Sequence, residues 1–261
     1  MDRQKQVIVS LTSFPAAIPF AIRAIRSVLD GIEKPDKLVL YVTFSQFPEG
    51  KIQQELYALM NENPIFEVRD YADDIRSYRK LIPELMDFPD AIIVTVDDDV
   101  LYHKNMLRSL LYWNKCYPDV IFAHRSKKIK LNKPYQKWPK YRWYSFLARK
   151  LHFSYRTMQT GVGGVLYPPD SLHTEMLKPE IFREMAPTTD DIFFWAAAVA
   201  KGTKIVPVPY GKYNKPRGLG KPKEISLKTV NFKSGTDRNR VALEKIIDSY
   251  PIIKQRIEEK E

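Results

Sequence analysis

Hydrophobic positions follow two different periods along this chain, and the switching between them outlines its elements. Residues 7–12, Val-Ile-Val-Ser-Leu-Thr, form an apolar run that predicts a buried strand, ended by Ser13-Phe14-Pro15. Over 18–30 the apolar residues Ile18, Ala21, Ile22, Ile25, Val28 and Leu29 recur at helical spacing, and Gly31 stops that helix. The pattern then predicts a strand over 38–43, a polar helix over 49–62 that ends before Pro64, and a short strand over 65–69. Asp70-Tyr71-Ala72-Asp73-Asp74 and Lys80-Leu81-Ile82-Pro83 lead into a short helix. Residues 91–96, Ala-Ile-Ile-Val-Thr-Val, make a strongly apolar strand that runs into Asp97-Asp98-Asp99, and a helix rich in Leu and Met follows at about 103–115. Strand and helix in regular alternation predict an α/β fold with a doubly wound, mostly parallel sheet. Such sheets bind ligands at the carboxyl ends of their strands, where Thr12-Ser13, Asp70 and the aspartate triplet fall.

The second half is patterned differently. Residues 125–156 are basic and aromatic, as in Lys133-Pro134-Tyr135-Gln136-Lys137-Trp138-Pro139-Lys140-Tyr141-Arg142-Trp143-Tyr144, and read as a partly mobile surface excursion. Thr160 to Pro169 read as a turn and a strand, Thr188 to Lys201 as a helix closed by Gly202, and 204–208 as a strand. From Tyr210 to Asn239 the chain is loop-like and basic, and 240–259 predicts a terminal helix. There is no internal repeat and no low-complexity linker.

Charge sharpens this picture. The formal net charge is +11, and the eleven cations Arg125, Lys127, Lys128, Lys130, Lys133, Lys137, Lys140, Arg142, Arg149, Lys150 and Arg156 lie between Asp119 and Asp170 with no acidic residue among them. A local basic field of this kind attracts phosphates, acidic glycans, lipid headgroups or nucleic acid. The single cysteine, Cys116, excludes an intrachain disulfide and a Cys-rich zinc site, and is expected to be a partly buried thiol in a reducing compartment. No run approaches the roughly 18 apolar residues of a membrane span, and residues 1–6 lack the apolar core of a signal peptide. The expectation is a cytoplasmic protein, peripheral on the inner face of the cell membrane.

Asp97-Asp98-Asp99 is the strongest chemical signal. On an extended segment Asp97 and Asp99 would share a face, with Asp98 opposite. Three adjacent carboxylates repel one another, and a hard cation such as Mg2+ or Mn2+ resolves the repulsion while bridging to a diphosphate. A solvated acidic turn is the bland alternative. Thr188-Thr189-Asp190-Asp191 opens an apolar helix. A capping box of Thr188 and Asp191 explains it structurally, and a general base acting on an acceptor hydroxyl explains it chemically. Thr160-Gly161-Val162-Gly163-Gly164 holds three of the ten glycines, which suits close backbone approach to a ligand or a tight turn. His103, His124, His152 and His173 have no metal-ligand spacing and read as surface or packing residues. Arg79 and Lys80 follow the third strand, where contact with donor phosphates and plain solvation are the two readings. The basic aromatic stretch suits a solvated loop, an anionic membrane or a nucleic acid.

Taken in order, Val9-Ser10-Leu11-Thr12-Ser13-Phe14-Pro15, Tyr78-Arg79-Lys80-Leu81-Ile82-Pro83, Val96-Asp97-Asp98-Asp99-Val100, the Gly161–Gly164 segment and Asp190-Asp191-Ile192-Phe193 resemble the GT-A glycosyltransferases. The resemblance is to bacterial enzymes that build surface polysaccharide such as lipopolysaccharide or capsule, and it runs from Val7 to about Asp248. It implies one Rossmann-like GT-A domain over 1–261, with a nucleotide-binding half over about 1–120 and an acceptor-binding half over about 157–261. It implies transfer of a sugar from a nucleotide-diphosphate donor to a hydroxyl of a glycan or lipid-linked acceptor. Thr12 and Ser13 would then lie at the base and ribose with Asp70 nearby, Asp97 and Asp98 along the donor, Lys80 at the diphosphate, and Gly163 and Gly164 at the sugar and acceptor. Asp97 and Asp99 would ligate Mn2+ or Mg2+, and Asp191 would be the base of an inverting transfer. Many GT-A enzymes add a late histidine to the metal. This chain has none after His173, so Asn231 or Asp237 would take that place, and Lys215, Arg217 and Lys233 would close over the diphosphate. The competing classes are a retaining transferase, a sugar nucleotidyltransferase and a non-enzymatic binder of anionic surfaces. Ser13-Phe14-Pro15-Ala16-Ala17 is not the glycine-rich, basic loop of a nucleotidyltransferase, and nucleic acid is the least expected partner.

Overall fold

Strand β1 (Val7–Thr12) is buried along nearly its whole length because helices cover both faces of the sheet around it. A computed structural model of the protein, describing residues 5–141, 151–209, 215–222 and 237–259, sets this strand inside a sheet of seven. The others are β2 (Lys37–Val42), β3 (Phe66–Asp70), β4 (Ile92–Thr95), β6 (Ile121–Ala123), β9 (Val165–Tyr167) and β10 (Ile205–Pro207), in the spatial order β10-β6-β9-β4-β1-β2-β3. β3, β2, β1 and β4 are mutually parallel, as are β6 and β10. β9 runs antiparallel between β4 and β6. Two small antiparallel pairs accompany the sheet: β5 (Val100–Leu101) with β11 (Arg217–Gly218), and β7 (Ser126–Lys128) with β8 (Thr157–Gln159). The architecture is therefore α/β with a large, mostly parallel central sheet flanked by helices.

Successive side chains of a strand face opposite ways, and the two faces feed two cores. Val7, Val9 and Leu11 join Leu38, Leu40 and Val94 under α1 (Ile18–Leu29), α2 (Gln54–Glu62) and α4 (Met106–Cys116). Ile93, Val165 and Ile205 face α3 (Ile82–Asp87), α5 (Pro179–Met185), α6 (Asp190–Lys201), α7 (Arg238–Ser249) and α8 (Pro251–Glu258). α6 is apolar all round from Ile192 to Ala200 and is buried all round, as such a helix must be. It ends at Gly202, whose φ of 100° is open to glycine at little cost. Among the described residues no helix is long and apolar enough to cross a membrane.

The structure corrects several expectations. The 49–62 helix begins only at Gln54, because Pro48–Gly50 forms a separate turn with Gly50 at φ 68°. The terminal helix is two helices, split at Pro251, which cannot supply an N–H to a continuous helix. α5 was not anticipated. The basic segment is more than a surface excursion: β7 pairs with β8, Ile129 and Trp138 enter the core, and Trp138 Nε1 donates to the carbonyls of Lys130 and Lys133 at 3.0 and 2.9 Å. Its residues 142–150 lie outside the described residues. Cys116 is exposed rather than partly buried.

Candidate active site

The aspartate triplet sits in a turn between β4 and β5, not on an extended segment, so the simple alternation of its side chains does not hold. Val96 N–H donates to Ser10 O at 2.9 Å, and Asp97 N–H donates to Tyr102 Oη at 2.7 Å. Tyr102 in turn donates its N–H to Ser27 Oγ on α1 at 3.0 Å. The turn is thus held from both sides, and its three carboxylates meet three different environments. Asp97 Oδ1 lies 3.0 Å from Lys80 Nζ. Asp98 is buried, accepts from Ser13 Oγ at 2.7 Å and from Lys221 Nζ at 2.9 and 3.1 Å. Among the described residues Asp99 is the member of the triplet without an ion pair. Burial, then Asp97 and Asp98, push its carboxyl up to about 6.

Lys80 links this turn to a second acidic group. It ends the tight helical turn Arg76–Lys80, which is anchored by Tyr78: the Tyr78 ring stacks on Phe182 at 4.1 Å, edges Phe193 and Phe194, and its hydroxyl donates to Ala186 O at 2.6 Å. These contacts bring the turn against the start of α6. The Lys80 ammonium then lies 2.9 Å from Asp190 Oδ2 as well as beside Asp97, with its side chain 7% exposed. Burial works against its charge, yet Asp190, Asp97 and Asp191 together hold its pKa well above the ordinary lysine value. Asp191 accepts from Gly161 N–H at 3.1 Å. Burial, then Asp190, raise its carboxyl to about 7, while Lys80 and the Gly161 N–H pull the other way. The capping box of Thr188 and Asp191 is not the arrangement found, since the N-cap of α6 is Thr189, whose side chain makes no capping bond.

Gly161 closes the space between the two groups. A Cβ there would lie 2.5 Å from Asp97 Oδ1 and 2.9 Å from Lys80 Nζ, so only glycine fits without displacing the ion pair. Gly163 and Gly164 instead approach protein scaffold. A Cβ at Gly163 would meet Arg125 N at 2.8 Å, and Gly164, at φ 88°, packs on Met106 of α4. A strap over residues 215–222 covers the triplet from the far side: β11 pairs with β5, Leu219 N–H donates to Asp99 O at 2.7 Å, and Lys221 reaches Asp98 while lying 5.0 Å from the Phe14 ring centroid.

The expected site residues therefore divide. Ser13, Lys80, Asp97, Asp98, Asp99 and Asp191 converge, with Asp190 and Gly161 added to them. Lys80 meets carboxylates in the positions where a donor diphosphate was expected. Thr12 and Asp70 serve the strand ends: Thr12 Oγ1 donates to Tyr41 O at 3.0 Å, and Asp70 Oδ1 accepts from Phe44 N at 2.8 Å. Asp237 does not join the triplet. It is the N-cap of α7, accepting from Arg240 N at 3.2 Å and from Tyr135 N at 3.0 Å. Asn231 and Lys233 lie outside the described residues. On the strap, Lys221 engages the triplet, whereas Arg217 pairs through its backbone with Leu101. Nothing in its spacing sets Lys221 apart from Lys215 or Lys223. His124 is a packing residue, its Nε2 3.2 Å from Met106 O and its pKa lowered to about 4 by burial.

Among the described residues no three His, Cys, Asp or Glu side chains are grouped so as to hold a metal ion. Asp99 still offers the donor chemistry of a hard cation: a carboxylate in an acidic turn, partly out of water, raised in pKa by its own neighbours. Asp97, whose Oδ1 is paired with Lys80, would be the second carboxylate of the turn to serve such a cation. No protein-family model matches the chain, and no curated protein matches it.

Proposed function

We propose that the protein is a GT-A glycosyltransferase that moves a sugar from a nucleotide-diphosphate donor to a hydroxyl of a glycan or lipid-linked acceptor. The observation that carries this reading is the convergence, through Lys80, of the acidic turn at the end of β4 with the acidic start of α6. In a mostly parallel sheet this is the strand end where ligands bind, and a transfer reaction needs two functions there. One group must take charge from the leaving diphosphate, and another must take a proton from the attacking hydroxyl. Asp97 and Asp99 would hold Mn2+ or Mg2+, which supplies Lewis-acid stabilisation of the departing diphosphate when bound. Asp191, raised to about 7 and oriented by the Gly161 N–H, suits proton abstraction near neutral pH. Transfer is then inverting, and cell-surface polysaccharide synthesis at the inner face of the membrane is the setting proposed for it.

The test is thermal unfolding with a panel of nucleoside diphosphates and nucleotide sugars, with and without Mn2+. One nucleotide should stabilise only with metal, by about 2.7 kcal/mol when present at about a hundredfold its Kd, and Asp99→Asn should abolish the effect. Absence of stabilisation by any nucleotide overturns the reading. Asp191→Asn then separates the two stereochemical courses. If Asp191 is the base, transfer falls by roughly 10²–10⁴-fold while donor binding stays. Retention of transfer assigns a retaining course.

A further inference from the structure

We propose that the acceptor carries a carboxylate or phosphate group, received by Arg125 and Lys127 beside Asp191. The inference rests on the transferase reading and narrows its second substrate. β7 and β8 pair Ser126 with Gln159 and Lys127 with Met158, and Thr160 N–H donates to Arg125 O at 2.9 Å. The next residue, Gly161, is the one whose N–H holds Asp191. Lys127 therefore lies in β7, and Arg125 just before it, beside the segment that orients the proposed base.

Among the described residues no carboxylate pairs with either charge, although thirteen ion pairs are made elsewhere in the described fold. Lys127 is buried, yet its ammonium donates to a neutral carbonyl, Tyr135 O, at 2.9 Å, and sits 3.4 Å from the Tyr135 ring centroid. Burial, then Lys140 and Arg125, press the Lys127 ammonium down to about 8, and Asp237 and Asp191 act back more weakly. Asp237 is already committed to the α7 N-terminus and to Tyr135 N. Cations that crowd one another partly out of water cost free energy in the unliganded protein, and an anion between them removes that cost.

Among the described residues, Tyr135 and Trp138 favour a small anionic group over a nucleic acid. A stacking platform needs free ring faces. Trp138 is buried with its indole N–H bonded to backbone, and the Tyr135 ring is covered by Lys127.

The experiment measures binding of three matched probes by calorimetry, methyl glucoside, its 6-carboxylate (the methyl glycoside of glucuronic acid) and its 6-phosphate, each alone and with the nucleotide and Mn2+ that stabilise the protein. At least one anionic probe should bind about tenfold tighter than the neutral one, the equivalent of one charge-assisted hydrogen bond. A preference for glucuronide alone names a carboxylate acceptor, and for the phosphate alone a phosphorylated one. Arg125→Gln, at a partly exposed side chain, should remove the preference, and Lys127→Met should do the same. Arg23→Gln, on the exposed face of α1, should keep it. Equal binding of the three probes, or a preference that survives Arg125→Gln, overturns the proposal. Nucleotide binding by the same preparation reports on the transferase reading separately, so the two can fail independently.

Discussion

Lys80 is buried where a lysine survives only with carboxylates around it, and the reverse holds for the buried Asp190, with the half-buried Asp97 as its second partner. Lys80→Met should therefore destabilise the protein by roughly 3–5 kcal/mol, seen as a lower urea midpoint, because it leaves uncompensated acids out of water. Gly161→Ala should cost about 1–3 kcal/mol, since a methyl group 2.5 Å from Asp97 Oδ1 has to displace the pair. It should also abolish metal-dependent stabilisation by nucleotide in the same thermal assay. The chemistry of single residues was legible where it is local in sequence. Three consecutive aspartates and an acidic helix start announce themselves as charge clusters. The partner of each was not legible: Asp98 meets a lysine 123 residues later, and no spacing rule reaches that far. The glycine segment shows the same divide. Its enrichment was visible, but Gly161 rather than Gly163 or Gly164 lies against the site, a distinction that only packing makes.

At the scale of elements, β1 to β4 and their helices read clearly because each is bounded by Pro, Gly or a polar break. β9 did not announce its direction, since Val-Leu-Tyr is equally apolar either way and pairing is decided by what lies on each side. The basic segment was misread for a related reason. Its charges dominate the composition, while the few residues that dock, Ile129 and Trp138, carry no periodic signal. β11 is the weakest element, two exposed residues held to β5, yet it carries the N–H that meets Asp99 O through Leu219. Leu219→Pro removes that donor. It should weaken metal-dependent nucleotide binding by about tenfold, the loss of roughly one hydrogen bond, with little change in far-UV circular dichroism.

For the whole molecule, buried acids set the response to pH. Glu84, on α3, is fully buried near Arg69 and Tyr41, and burial raises its carboxyl from 4.5 to about 7. An acid raised on folding favours the protonated native state. Its stabilising contribution is complete below pH 4.5 and is lost as pH rises through about 7. The full difference for Glu84 is roughly 3 kcal/mol. Asp191, raised to about 7, and Asp99, raised to about 6, act in the same direction. The ligand-free protein should therefore melt at a higher temperature at pH 6 than at pH 8. Glu84→Gln should raise the melting temperature at pH 8 and flatten the difference, read from thermal scans at both pH values.

The place of β9 between β4 and β6 has a consequence for the chain while it is being made. A ribosome that has just released the aspartate turn has produced β4 with one flank unpaired, and the strand that fills it lies some seventy residues ahead. Lys221, which engages Asp98, comes 123 residues after it, so at about 5–20 residues per second the turn waits on the order of ten seconds for that counter-charge. Until β9 is made, that flank of the nascent sheet is open to pairing with neighbouring chains, and the like charges of the three aspartates at its end oppose such pairing.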